Sequence, residues 1–165
     1  MHRVFLGLGG NLGDPRSAMR EALNRLNKSP DVGVVRVSSL YRTPPWGKLD
    51  QPDFLNAVTE IETSLQPRAL LDLCLATERD LKRVRGERWG PRVIDMDILW
   101  FDGLAVDQAG LQLPHPRMHE RAFVMVPLAE IAPDLVVRKN RAAAIAAGLD
   151  TSGITVAEAG EGWAR

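Results

Sequence analysis

Two aspartates, Asp95 and Asp97, flank one methionine in the run Arg92-Val93-Ile94-Asp95-Met96-Asp97-Ile98-Leu99-Trp100. Read as a strand, period-two alternation sets both carboxylates on one face and turns Ile94, Met96, Ile98 and Trp100 into the core. Paired carboxylates raise each other's proton affinity unless a cation lies between them. Magnesium takes hard oxygen donors, commonly one or two carboxylates together with substrate phosphates. A solvated strand face is the plain alternative, and the pair taken alone leaves both readings open.

The segment before the pair is basic. Residues 79–92 carry Arg79, Lys82, Arg83, Arg85, Arg88 and Arg92 against Asp80 and Glu87, with Gly86 and Gly90 to let the chain bend. Metal and guanidinium groups side by side neutralise charge on a transferred phosphoryl group. The competing reading is an exposed basic loop, which adjacency to Asp95 and Asp97 disfavours. Trp89 inside so hydrophilic a loop calls for a packing partner, either a substrate under a closing lid or the domain itself. His115, between Pro114 and Pro116, is held stiffly enough to meet a phosphate, although a lone histidine is more often structural. Phe54, Asn56 and Phe123 combine rings with an amide, which suits a flat, hydrogen-bonding heterocycle; separately they read as core and edge.

The elements that must position these groups follow from periodicity. Val4, Leu6 and Leu8 mark a first strand, broken at Gly9-Gly10-Asn11-Leu12-Gly13. That glycine run leads into a helix capped by Asp14 with Pro15 in its first turn, but it lacks the lysine and hydroxyl of a Walker loop. Val34 to Tyr41 is the second strand, stopped by Thr43-Pro44-Pro45-Trp46-Gly47. Phe54 to Ile61 is the third. Pro67 opens a second helix reaching Leu81, and Val93 to Phe101 is the fourth strand. Asp102-Gly103 predicts the turn of a hairpin ending near Leu113. A third helix over Arg117 to Ile131 is interrupted or ended near Pro127. A short helix covers Arg141 to Ala147 with Gly148 as its cap, and Ala157 to Arg165 reads as a loose tail. The order β-α-β-β-α-β predicts an α+β fold: a ferredoxin-like, mainly antiparallel sheet with helices packed on it and a C-terminal hairpin and helices added.

The 165 residues suit a single domain, residues 1–165, with 45% hydrophobic content to build a core. With 21 basic and 21 acidic residues the net charge is zero; this argues against a nucleic-acid coat or a polybasic membrane anchor. No apolar stretch approaches the ~20 residues that span a bilayer. The single cysteine, Cys74, sits among Leu70, Leu71, Leu73 and Leu75, so it reads as a packing residue in a reducing compartment. A cytoplasmic protein is expected.

Together these segments resemble the 6-hydroxymethyl-7,8-dihydropterin pyrophosphokinase family from Leu6 to about Leu135. The most specific stretch is Arg88-Trp89-Gly90-Pro91-Arg92 followed by Asp95-Met96-Asp97-Ile98. Tyr41-Arg42-Thr43-Pro44-Pro45, Gln51-Pro52-Asp53-Phe54-Leu55-Asn56 and Pro114-His115 support it. The resemblance implies transfer of the pyrophosphoryl group of ATP to the pterin hydroxymethyl oxygen, with two magnesium ions at Asp95 and Asp97 and a monomeric enzyme. It implies phosphate contacts from Arg83, Arg92, His115 and Arg121, with Arg85 and Trp89 on a mobile loop and Glu78 and Ile98 near the nucleotide. It implies a pterin site of Thr43, Pro44, Pro45, Trp46, Phe54, Asn56, Asp95 and Phe123. The sequence departs from the family pattern at Gly10 (often serine), Phe54 (tyrosine), Trp46 (a smaller apolar residue), Gly110 and Gln112 (a basic residue and a threonine), and in an arginine loop one residue shorter.

Rival readings are another magnesium–ATP phosphotransferase, an Asp-x-Asp phosphatase of the haloacid-dehalogenase type, and a ferredoxin-like RNA-binding module. The phosphatase wants its apolar strand before the first aspartate, whereas the strongest apolar run here follows Asp97. The RNA module wants aromatic and basic residues on the sheet, where this chain places acids.

Overall fold

The computed structural model describes residues 1–45, 50–84 and 93–165, with the backbone alone for Arg83 and Val84. The predicted site residues Trp46, Arg85, Trp89 and Arg92, and the side chain of Arg83, lie outside what is described.

The main sheet is built from β1 (His2–Gly10), β2 (Val32–Val37), β3 (Leu40–Thr43), β4 (Phe54–Thr63), β5 (Asp95–Phe101) and β10 (Thr155–Glu158). Its order is β10-β3-β4-β1-β5, with β2 also paired to β4, and these pairings are antiparallel. Taking β2 and β3 as one interrupted strand, the first four strands lie fourth-first-third-second, the ferredoxin-like arrangement expected from the element order.

Helices α1 (Pro15–Lys28) and α2 (Pro67–Val84) pack on one face. Asp14 caps α1 by accepting from the Ser17 amide at 3.1 Å, and Pro15 takes a first-turn position that needs no N–H. Ala18, Met19, Ala22, Leu23 and Leu26 of α1 meet Leu70, Cys74 and Leu81 of α2 over Val4, Leu6, Met96 and Ile98 of the sheet. A second cluster on the opposite face joins Phe5, Val58 and Leu99 to Val124, Met125, Leu128 and Ile131 of α3 (Ala122–Ile131). The part of that face left uncovered holds the candidate site.

Several expectations are corrected. β1 does not break at Gly9 but pairs with β4 through Gly10. A Cβ at Gly10 would lie 2.3 Å from the Val93 carbonyl oxygen, so close backbone approach requires glycine there. The second strand is split at Ser38-Ser39, where the Ser38 amide still donates to the Val58 carbonyl at 2.9 Å but the Ser38 carbonyl turns aside to the Trp163 indole. The Ser38 hydroxyl takes the Val58 amide, and Glu130 of α3 receives the Ser39 amide and hydroxyl at 2.9 and 2.8 Å. Trp100 does not share a face with Met96 and Ile98. Leu6 pairs with Ile98 and Phe5 with Trp100, so Leu99 is an extra, bulged residue that turns the next side chain over. Trp100 therefore packs edge-on to Phe5, 5.8 Å between ring centroids, on the α3 side.

Asp102-Gly103 forms a turn with positive φ at both residues, but the hairpin that ends at Leu113 is a separate ladder. It joins β6 (Val106–Gln108) to β7 (Leu111–Leu113) around Ala109-Gly110. The third helix begins at Ala122, after a 3-10 turn at Met118–Glu120, and runs through Pro127 to Ile131. The buried Val124, Met125, Leu128 and Ile131 outweigh a local proline cost of about 3 kcal/mol. β8 (Val136–Val137) and β9 (Asn140–Arg141) form a small ladder before α4 (Ala142–Ala147), which ends at Gly148 as its sequence predicts.

The C-terminal segment is not loose. β10 pairs with β3, and a final 3-10 turn, Gly162–Ala164, inserts Trp163 at 2% exposure. The indole donates to the Ser38 carbonyl at 2.8 Å. Indole burial and the gap at the strand break together anchor a segment whose local composition is polar and glycine-rich.

Candidate active site

Asp95 and Asp97 stand on one face of β5, half-buried and exposed respectively, while Met96 and Ile98 are buried on the other. Opposite them on β1 are Gly9 and Gly7, and beyond those on β4 are Asn56 and Val58. The two glycines remove side chains from the middle of this face and leave a floor of bare backbone between the acids and the amide. At Gly9 the space is already used, since a Cβ would lie 2.7 Å from Asn56 Oδ1. Asn56 is buried, and its Nδ2 donates to the Thr43 hydroxyl at 2.8 Å.

A cavity of about 340 Å³ opens over this floor. Thr43, Pro44, Phe54, Asn56, Asp95, Asp97, His115, Arg121 and Phe123 all line it. The Arg121 guanidinium lies 5.7 Å from the Phe123 ring centroid, which keeps a cation at the mouth. A second hollow, about 660 Å³, adjoins it. Ile98, Gly110, Gln112 and Pro116 line the second, and Asp97 and His115 are common to both. Pro45 lies behind the first cavity with Pro44 and Phe123.

His115 reaches this shared wall because its amide donates to the Leu99 carbonyl at 2.8 Å, just past a cis peptide at Leu113–Pro114. Its Nδ1 accepts the Arg117 amide at 3.2 Å, so the neutral ring carries its proton on Nε2, where it can donate. Burial pushes its pKa below the usual 6.5; Asp97 opposes that shift and Arg121 and Arg117 reinforce it.

Glu78 lines neither cavity. From α2 its carboxylate accepts the Met96 amide at 2.6 Å, on the backbone between the two aspartates. Burial raises its pKa, the Met96 bond and Lys82 lower it, and Asp95 and Asp97 raise it further. Cys74 is fully buried and its thiol is pushed up to about 12, which suits the packing role its sequence neighbours indicated.

Sequence reasoning missed Gly7 and Gly9 as floor residues, and Arg117 and Glu120 as cavity lining. The glycines carried a signal, since small residues at alternate positions of a strand mark one bare face. Arg117 and Glu120 carried none, because a 3-10 turn sets their direction.

Among the described residues no group of three or more His, Cys, Asp or Glu side chains could hold a metal ion by itself. Two carboxylates beside open space fit magnesium, which fills its shell with water and phosphate oxygens. Among the described residues no helix is long and apolar enough to cross a membrane.

The chain is similar to several known proteins. A relative from Methylorubrum extorquens, named 2-amino-4-hydroxy-6-hydroxymethyldihydropteridine pyrophosphokinase, is 51% identical over 154 residues, 93% of this chain and 98% of the relative. The protein of that name from Pseudomonas aeruginosa is 45% identical, covering 86% of this chain and 87% of the relative. Among solved structures, Plasmodium falciparum HPPK-DHPS wild type superposes with a TM-score of 0.70 at 15% identity. The match covers 88% of this chain and 44% of that longer one, so it speaks for the fold alone. Residues 5–133 match the family described as 7,8-dihydro-6-hydroxymethylpterin-pyrophosphokinase (HPPK), and the chain belongs to that family.

Proposed function

We infer that this chain transfers the pyrophosphoryl group of ATP to the hydroxymethyl oxygen of 6-hydroxymethyl-7,8-dihydropterin, giving AMP and the pterin diphosphate for folate biosynthesis. The observation that carries the residue assignment is Asp97, which with His115 is common to two hollows, with Asp95 beside it in the first. One hollow is lined by an amide, Asn56, and two aromatic rings, Phe54 and Phe123, which suits a flat, hydrogen-bonding pterin. The other, beside Ile98, takes the nucleotide.

In this reading Asn56 hydrogen-bonds the pterin edge, with Thr43 fixing the amide through their 2.8 Å bond. Phe54 and Phe123 hold the ring faces, and Pro44 and Pro45 close the pocket. Asp95 and Asp97 hold two magnesium ions. When bound, these ions neutralise phosphate charge and make the alcohol more acidic. Neutral His115 donates from Nε2 to a phosphate oxygen, and Arg121 supplies a fixed positive charge. No side chain is needed as a dedicated base, because holding the alcohol and the β-phosphorus in line is itself a large part of the catalysis. Arg83, Arg85, Trp89 and Arg92 enter the proposal through the resemblance, as does Trp46. Glu78 supports the nucleotide side indirectly, by holding the strand. The enzyme is proposed to act as a monomer, in the cytoplasm where ATP is supplied.

The test is turnover and metal binding in Asp95→Ala and Asp97→Ala. Each should abolish pyrophosphoryl transfer and magnesium-dependent binding of a non-hydrolysable ATP analogue in a protein that still folds. A normal rate in either variant would sink the assignment. Ordered, synergistic binding of nucleotide and pterin by calorimetry separates this enzyme from a phosphatase or an RNA-binding module.

A further inference from the structure

Residues 134–165 lie beyond the segment matched to the family, yet one of their turns touches the loop that closes the pterin pocket. Pro44 has two sides. One lines the cavity over Asp95 and Asp97. The other faces a hollow of about 540 Å³ walled by Leu149, Asp150, Ser152 and Ile154. Gly153 sits close to Pro44: a Cβ there would lie 3.0 Å from Pro44 Cγ and 3.4 Å from Cδ.

The turn is itself held. Asp150 Oδ1 accepts the Ser152 amide at 2.9 Å, and the Ile154 amide donates to the Thr151 carbonyl at 3.1 Å. The chain then enters β10 at once, with Thr155 opposite Arg42 of β3. Two residues on from that pairing β3 leads into Pro44, through Thr43, the acceptor for Asn56. The turn and the loop are thus fastened to each other by a strand ladder at one end and by the glycine–proline contact at the other.

We propose that Gly153 is a positioning residue for the pterin site: its bare backbone seats Pro44, and through it sets Thr43 and Pro45 against Asn56 and Phe123. The proposal rests on reading the Pro44 cavity as the pterin pocket. Gly153 has φ +85, so a side chain there meets backbone strain as well as the Pro44 ring. Gly160 separates the two effects. It has φ +73 in the same C-terminal segment, and a Cβ there would meet no described atom within 4 Å.

The experiment compares Gly153→Ala, Gly160→Ala and the parent enzyme in steady-state kinetics with magnesium, ATP and pterin. Gly153→Ala should raise the pterin KM at least about tenfold while the ATP KM stays within about twofold, because small misplacements of a positioning loop are costly. Gly160→Ala should lose comparable thermal stability and leave both KM values within about twofold. Ile154→Ala, which thins the same wall without backbone strain, should show the same KM split in smaller degree and serves if Gly153→Ala does not fold. Equal pterin KM shifts in the two glycine variants, or an ATP KM that moves in step, would overturn the proposal. Amide hydrogen exchange at Thr43 and Asn56, measured without substrate, should quicken in Gly153→Ala alone; equal exchange in both variants overturns it too. A parent enzyme that binds no pterin would instead sink the functional reading, and the exchange data would still decide the seating of Pro44.

Discussion

Glu78 and Met96 are joined by a 2.6 Å hydrogen bond from the Met96 amide to the Glu78 carboxylate. Among the described residues β5 is the outer strand of the sheet, paired with β1 on one side, so its outward amides need acceptors from elsewhere. Helix α2 supplies one at the single residue that separates Asp95 from Asp97, and so fixes the backbone that aims both carboxylates.

Glu78→Ala should therefore lower unfolding free energy by about 1–3 kcal/mol, the cost of stranding a partly buried donor. It should also weaken magnesium-dependent nucleotide binding. Glu78→Gln keeps an acceptor and should stay close to the parent in both. Urea unfolding with and without magnesium–nucleotide checks this, and a parent-like Glu78→Ala would refute the clamp.

His115 gives a pH prediction. Its folded pKa lies below the unfolded 6.5, chiefly through burial. A histidine so shifted contributes stability that is fully present above 6.5 and is lost as pH falls from 6.5 through the lower folded value. The difference in unfolding free energy between the parent and His115→Asn should shrink over that window. Proton NMR of the ring should give a midpoint under 6.5 in the ligand-free protein; a midpoint above it contradicts the neutral donor proposed for phosphate.

Gly9 and Gly7 should differ sharply on substitution. A Cβ at Gly9 meets Asn56 Oδ1 at 2.7 Å, whereas one at Gly7 meets Leu99 methyls at 3.4 and 3.5 Å, an ordinary contact. Gly9→Ala should displace the amide and weaken pterin binding at least about tenfold, with about 1–3 kcal/mol of stability lost to overpacking. Gly7→Ala should fold with a smaller loss. Calorimetric titration with the pterin reads the contrast.

Trp163 should carry much of the C-terminal anchorage. Trp163→Ala removes a side chain that is 2% exposed and should cost about 3–5 kcal/mol. Trp163→Phe keeps most of the packing but loses the bond to the Ser38 carbonyl, for about 1 kcal/mol of net hydrogen bonding plus some lost volume. Unfolding curves of the two variants test the order, and limited proteolysis should release the C-terminal segment in Trp163→Ala first.

The sequence by itself determined what depends on near neighbours in the chain. Period-two alternation put Asp95 and Asp97 on one face, Asp14-Pro15 announced the start of α1, and the order of strands and helices specified the sheet. These hold because backbone geometry and local hydrogen bonding decide them within a few residues. Only the tertiary structure decided that Leu99 bulges, because the missing partner belongs to β1 and no property of β5 reveals it. The same is true of the polar end that Trp163 anchors under Ser38, of the Gly9 backbone pressed against Asn56, and of the Gly153 turn against Pro44. Each is a contact between distant segments, where what matters is the space left by another part of the chain, and a linear string of residues does not display that space.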